Sequence, residues 1–70
     1  MDNIKVRFGK RVRKLRLSKG TSQEKLAELA DLDRTYITGI ENGRRNISIT
    51  VMEKFSKAFD ISLSELLFEL

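Results

Sequence analysis

Seventy residues are enough for one domain, residues 1–70, and a chain this short buries so small a core that we expect it to dimerise. It has no cysteine, no histidine and no paired carboxylates, so we expect no enzymatic activity, metal, cofactor or small-molecule ligand. The net charge of +4 favours an anionic partner, and the absence of a long apolar run or leader sequence predicts a cytoplasmic protein without membrane contact.

The first predicted helix covers residues 4–19 and carries most of the positive charge. Phe8, Val12 and Leu15 recur at helical spacing and place one apolar stripe inward, and Gly20 ends the helix. Eight lysines and arginines stand among the first twenty residues, against a single acid. Clustered cations attract polyanions such as nucleic acid, although a solvated helix face gives the same pattern.

The second and third helices are predicted to follow each other closely. Thr21 and Glu24, three residues apart, predict a capping box at the start of the second helix, which runs to Ala30. Asp33 is the expected N-cap of the third helix, residues 34–42, because its carboxylate can accept from free backbone amides.

Two further helices complete a predicted all-α fold of five helices without strands. Ser48 or Thr50 caps the fourth helix, whose inward side chains are large and apolar: Met52, Phe55 and Phe59. Ser62 and Glu65 predict a capping box at the start of the fifth.

The second and third helices have the spacing of a helix-turn-helix, a motif whose second helix lies in the major groove of DNA. Their connection is short, and Leu32 is expected to be buried in its corner. The small side chain of Ala27 lets the two helices approach each other. Since an ordinary helical hairpin has the same spacing, the outward side chains of the third helix must decide between the two.

That outward face carries side chains suited to the edges of base pairs. Its first turns present Arg34, Thr35, Tyr36 and Thr38. An arginine can donate two hydrogen bonds to guanine, and a threonine offers a methyl group and a hydroxyl. Gly39, in the interior of the helix, costs about 1 kcal/mol relative to Ala, so a compensating role is expected. Close approach of the DNA and admission of a neighbouring helix both remain open.

Polar residues around this face are expected to fix the orientation of the DNA. Three are predicted to contact phosphates: Gln23, Asn42 and Arg44. Arg44 is alternatively a solvated cation. Arg45 belongs either to this phosphate-binding set or to the base-reading set, if it reaches into a groove.

The sequence resembles the Cro/CI-like (XRE) helix-turn-helix family over nearly its whole length. The resemblance is carried by SQEKLA at 22–27 and YITGIENG at 36–43. More narrowly, LDRTYI at 32–37, GIE at 39–41 and RN at 45–46 resemble the controller proteins of bacterial restriction–modification systems.

The resemblance implies a compact lambda-repressor-like bundle that dimerises on two-fold operators. By position it assigns base reading to Arg34, Thr35, Tyr36 and Arg45, and phosphate binding to Gln23 and Asn42. Arg16 and Glu41 match a family pair that forms a partly buried salt bridge. Two unrelated surface charges are the alternative for this pair, and we favour the bridge. Asp31 stands where the family usually has a left-handed glycine, a conformation that Asp tolerates better than most residues.

The resemblance also implies a sequence-specific transcription regulator. Such a controller activates its own promoter and the restriction gene at low dose, and represses that promoter as protein accumulates. Glu24 and Glu28 match the position of an acidic patch that some family activators present to RNA polymerase. An ordinary solvated helix face is the alternative for these two acids.

The C-terminal residues carry more apolar groups than a last short helix can bury by itself. We predict that they form a two-fold dimer interface: Leu63, Leu66, Leu67, Phe68 and Leu70. Such a dimer would set two recognition helices ~34 Å apart on a pseudo-palindromic operator. Alternatively these side chains fold back on the core, or they bind a different protein, as in a generic XRE-type repressor or an antitoxin-like module.

Overall fold

The computed structural model describes residues 3–70, which form five α-helices and no strand. The helices are α1 (Ile4–Ser18), α2 (Gln23–Ala30), α3 (Arg34–Glu41), α4 (Ile49–Phe59) and α5 (Leu63–Leu66). This architecture confirms the predicted all-α fold of five helices. No helix in the described part of the chain is long and apolar enough to span a membrane.

Each helix begins at a polar side chain that accepts a hydrogen bond from a free backbone amide. Asp33 caps α3, as expected. Ser48 rather than Thr50 caps α4, by accepting from the amide of Val51 at 3.2 Å. Ser62 caps α5 by accepting from the amide of Glu65 at 3.1 Å. These short side chains therefore fix where the helices start.

The predicted capping box of Thr21 and Glu24 is wrong by one residue. Ser22 is the N-cap of α2, and its hydroxyl accepts from the amide of Lys25 at 3.0 Å. Thr21 is unavailable because it belongs to the C-terminal turn of α1, where its amide donates to the carbonyl of Arg16 at 3.0 Å.

Two aspartates end helices in the left-handed conformation that usually favours glycine. Asp31 closes α2 with φ 55° and ψ 50°, and Asp60 closes α4 with φ 57° and ψ 48°. The amide of the following residue donates back to its helix at 2.9 Å in both cases. The left-handed backbone at Asp31 is the one that the family resemblance implied.

The core gathers around the phenylalanines of α4. The Phe55 ring lies 6.1 Å from that of Phe8, edge to face, and 6.2 Å from that of Phe59. The remaining fully buried side chains are Val12, Leu26, Ile37, Ile40 and Leu66. Burial of each large side chain contributes about 1.5–3 kcal/mol. Because Ile37 and Ile40 hold one face of α3 in this core, they also determine which face looks outward.

Helix α1 crosses α3 at Gly9, where no larger residue fits. A Cβ atom at Gly9 would collide with the backbone carbonyl of Ile40 and lie 2.9 Å from that of Glu41. Backbone cannot swing aside as a flexible side chain can. No role was predicted for Gly9, although a glycine in the interior of a helix is a signal of close approach.

Candidate nucleic-acid interface

Helices α2 and α3 form the predicted helix-turn-helix around the three-residue connection 31–33. Leu32 packs against the core but is only partly buried, less than expected. At the start of α3, the carboxylate of Asp33 accepts from the amide of Thr35 at 3.3 Å. Arg34 and Thr35 are exposed there, whereas Tyr36 and Thr38 are half-buried. The four proposed base readers on α3 therefore keep surface outside the core.

A buried ion pair holds the C-terminal end of α3 against α1. The Nε of Arg16 donates to Oε2 of Glu41 at 2.7 Å, and its Nη2 donates to Oε1 at 3.1 Å. The remaining Nη1 donates to the carbonyl of Thr21 at 2.9 Å. The structure thus brings together the two residues of the expected salt bridge. The contact is bidentate, and all three guanidinium nitrogens of Arg16 donate a hydrogen bond.

Gln23 extends this pair into a network that joins three helices. Its Nε2 donates to Oε1 of Glu41 at 3.2 Å, while its Oε1 lies 3.3 Å from the hydroxyl of Thr38. That hydroxyl also lies 3.2 Å from the carbonyl of Arg34. The amide of Gln23, expected on a phosphate, is therefore held by α3, and Thr38 is tied to the same network. Sequence spacing gives no sign of these contacts.

The proposed activation patch is made of acids that each face a cation. Glu24 Oε1 lies 3.3 Å from Nη1 of Arg34, and Glu28 Oε1 lies 3.4 Å from Nζ of Lys25. All four side chains are more than half exposed. The pair of Glu24 and Arg34 joins the proposed patch to the first proposed base reader.

The loop after α3 places Arg45 against the outward face of that helix. The guanidinium of Arg45 lies 5.2 Å from the centre of the Tyr36 ring, within the range of a cation–π contact. The backbone amide of Arg44 donates to the carbonyl of Gly39 at 2.9 Å and fastens the loop to the helix. The exposed Asn42 is the C-cap of α3. Tyr36 and Arg45 therefore lie together on the outside of α3, whereas Arg34 lies on the flank of that helix that faces Glu24.

The C-terminal apolar surface consists of Leu63, Leu67 and Phe68, of which Phe68 is 60% exposed, beside the half-buried Leu70. Leu66 corrects the prediction: its side chain is fully buried in the chain's own core, so it has no surface to offer a partner. Ile49, at the start of α4, is 70% exposed and was not among the residues predicted for the interface.

An apolar groove of about 320 Å³ opens beside this surface. Ile4, Phe8, Met52, Leu67 and Leu70 contribute to its walls. Nearby, Arg11 anchors α5 by donating to the carbonyls of Glu65 at 2.6 Å and Leu66 at 3.3 Å.

Comparison with known proteins identifies the family. A family model described as "Helix-turn-helix" matches residues 12–66. The control protein C.MunI of Mycoplasma is 52% identical over 67 residues, which cover 94% of this chain and 90% of that protein.

Two solved structures agree with this result. The restriction–modification controller protein C.AhdI from Aeromonas hydrophila superposes with a TM-score of 0.86 at 50% identity, covering 89% of this chain and 94% of that one. The controller C.Esp1396I, solved as a tetramer with its natural 35-base-pair operator, superposes with a TM-score of 0.87 at 36% identity, covering 96% and 88%. As the resemblance predicted, this chain belongs to the helix-turn-helix family and, within it, to the controller proteins of restriction–modification systems.

Proposed function

We propose that this protein is a homodimeric, sequence-specific DNA-binding regulator that reads a pseudo-palindromic operator in its own promoter. The observation that carries the proposal is the outward side of α3, a helix fixed by its buried face. Arg34 and Thr35 are exposed there, and the guanidinium of Arg45, from the following loop, lies over the Tyr36 ring. The operator complex of C.Esp1396I supports the same mode of action. No catalytic step is part of the proposal, and the protein acts in the cytoplasm, where bacterial DNA lies.

In this mechanism the exposed guanidinium of Arg34 meets a guanine in the major groove, while Thr35 and Tyr36 contact neighbouring bases. Thr38 stays in the network with Gln23 and stiffens the face rather than turning toward a base. Asn42 and Arg44, both exposed where α3 ends, contact phosphates and set the orientation.

Selection from random duplexes, followed by titration of the best site and a scrambled control at two salt concentrations, tests the proposal. We expect a two-fold symmetric site, far tighter binding to it than to the control, and a steep dependence on salt. Equal affinity for both DNAs would overturn the proposal.

Single-arginine variants sharpen this test. We expect Arg34→Ala to cost about 1–3 kcal/mol on the selected site and to relax preference at one base pair, because the lost contact is to a base. Arg44→Ala is expected to weaken both DNAs alike. Arg13→Ala, which removes an exposed cation from α1, controls for the change in net charge. Equal losses on selected and scrambled DNA for Arg34→Ala would remove it from the base-reading set.

The dimer is proposed to form through the exposed part of the C-terminal surface. Leu67 and Phe68 leave apolar area uncovered on a chain with a small core, which is the pattern of an association site. We expect the double variant Leu67→Glu with Phe68→Glu to be a folded monomer by ultracentrifugation and to bind the operator weakly. Retained dimerisation would contradict this interface.

The regulatory output is also part of the proposal. As a controller, the protein activates its own promoter and the restriction gene at low dose and represses that promoter at high dose. Glu24 and Glu28 are the proposed contacts to RNA polymerase. Replacing both with Lys and measuring transcription in a reconstituted system tests this, because unchanged activation with intact DNA binding would exclude the patch.

A further inference from the structure

The recognition helix has a gap in the middle of its outward face. Gly39 lies three and four residues after Tyr36 and Thr35, so a side chain at this position would stand on the same face of α3. Glycine is unfavourable inside a helix, and this one has an ordinary helical backbone rather than a positive φ. Its presence therefore calls for a spatial reason.

The space over Gly39 is filled by Arg45. A Cβ atom at Gly39 would lie 3.2 Å from Cγ of Arg45, 3.3 Å from its Nε and 3.8 Å from its Cδ. Ordinary carbon contacts lie at about 3.5–4.0 Å, so any larger residue requires Arg45 to move. Because these are the three nearest neighbours, admission of a neighbouring helix does not explain the glycine.

The far end and the base of the Arg45 side chain are held as well. Its guanidinium lies over the Tyr36 ring, 5.2 Å from the ring centre. The loop that carries it is fastened to α3 by two backbone hydrogen bonds, from the amide of Gly43 to the carbonyl of Ile40 at 3.0 Å and from the amide of Arg44 to the carbonyl of Gly39 at 2.9 Å. An arginine from outside the helix thus lies along the helix surface.

We propose that Gly39 is a positioning residue. Because Gly39 has no side chain, Arg45 can lie against α3, and this seating of Arg45 lets a loop arginine read DNA together with the recognition helix. The inference rests on the proposed operator binding. An arginine seated in advance loses less rotamer freedom on binding than a free one, and its planar guanidinium arrives already oriented. Gly39 acts on specificity only through Arg45.

A double-mutant cycle on operator affinity separates this role from direct approach of the DNA to Gly39. The variants are Gly39→Ala, Arg45→Ala and the double variant, each titrated with the selected and the scrambled duplex. We expect Gly39→Ala to weaken binding to the selected site by about threefold to thirtyfold, with little effect on the scrambled duplex. In the Arg45→Ala background the same change is expected to have almost no further effect. An equal loss in both backgrounds would overturn the proposal, because the DNA itself would then need the space.

Two measurements without DNA keep the inference separate from the proposed function. In the free protein, NMR is expected to show side-chain protons of Arg45 shifted upfield by the Tyr36 ring, with the shift reduced in Gly39→Ala and absent in Tyr36→Leu. Thermal denaturation is expected to show a higher Tm for Gly39→Ala, since Ala is the better helix former. If no DNA site is selected, the proposed operator binding is refuted, whereas the seating of Arg45 on α3 is still tested by these shifts. Unchanged Arg45 resonances in Gly39→Ala would refute it.

Discussion

Helix α3 takes part in two arginine–glutamate pairs whose surroundings are opposite. On the inner face, Arg16 and Glu41 meet at 2.7 Å with side chains 10% and 2% exposed. On the outer face, Arg34 and Glu24 meet at 3.3 Å with side chains 60% and 73% exposed. The charges are the same, so burial decides what each pair does.

The inner pair is part of the fold, because neither partner can return to water without opening the molecule. Its energy depends on every polar atom keeping a partner, which Thr21 and Gln23 help to supply. The outer pair is solvated and exchangeable, so Arg34 can leave Glu24 at little cost. One helix thereby combines a rigid attachment to the core with an exposed arginine that is free to change partners.

The largest effect is expected from breaking the inner pair. Glu41→Ala leaves the guanidinium of Arg16 buried without its counter-charge, which typically costs about 3–5 kcal/mol. Urea denaturation followed by circular dichroism measures the loss. Glu24→Ala, the matched change in the outer pair, is expected to stay within about 0.5 kcal/mol of the unmodified protein. Equal midpoints for the two variants would refute the contrast between the faces.

Gly9 offers a second test of the inner face, of smaller size. Gly9→Ala places a methyl group against the backbone carbonyls of Ile40 and Glu41, so α1 must move away from α3. Overpacking of this kind costs about 1–3 kcal/mol, more than the gain in helix propensity. The same substitution at Gly39, on the outer face, is expected to stabilise. Melting temperatures that change in the same direction for both variants would contradict the assignment of the two glycines.

Features that depend on neighbours in the chain could be read from the sequence. The apolar spacing within α1 and α4 and the caps at Asp33 and Ser62 are examples, because a short polar side chain reaches only the next turn. The one error in capping, at Thr21, arose because Thr21 and Ser22 are adjacent and either hydroxyl could have been the N-cap of α2. The outward face of α3 could also be predicted, because the apolar positions of that helix mark its inner face.

Features that depend on contacts across the chain could not be predicted. Gln23 meets Glu41 eighteen residues away, and no spacing rule signals it. Leu66 was placed at an interface because α5 has only four residues, too few for a periodic pattern to mark its inner face. Gly39 was recognised as unusual, but its reason lies in Arg45, a residue beyond the end of the helix.

The smallest expected effect concerns the outer pair alone. Glu24→Gln frees Arg34 from its intramolecular partner, so we expect operator affinity to rise by about twofold at low salt, which corresponds to an exposed ion pair of a few tenths of a kcal/mol. Glu28→Gln removes the same charge one turn further along, where the partner is Lys25, and is the matched control. Fluorescence anisotropy with the selected duplex at two salt concentrations gives both affinities. The difference between the variants is expected to shrink at high salt, since salt screens the pair. Equal gains for both variants would mean that only the overall charge changed, and that Glu24 does not restrain Arg34.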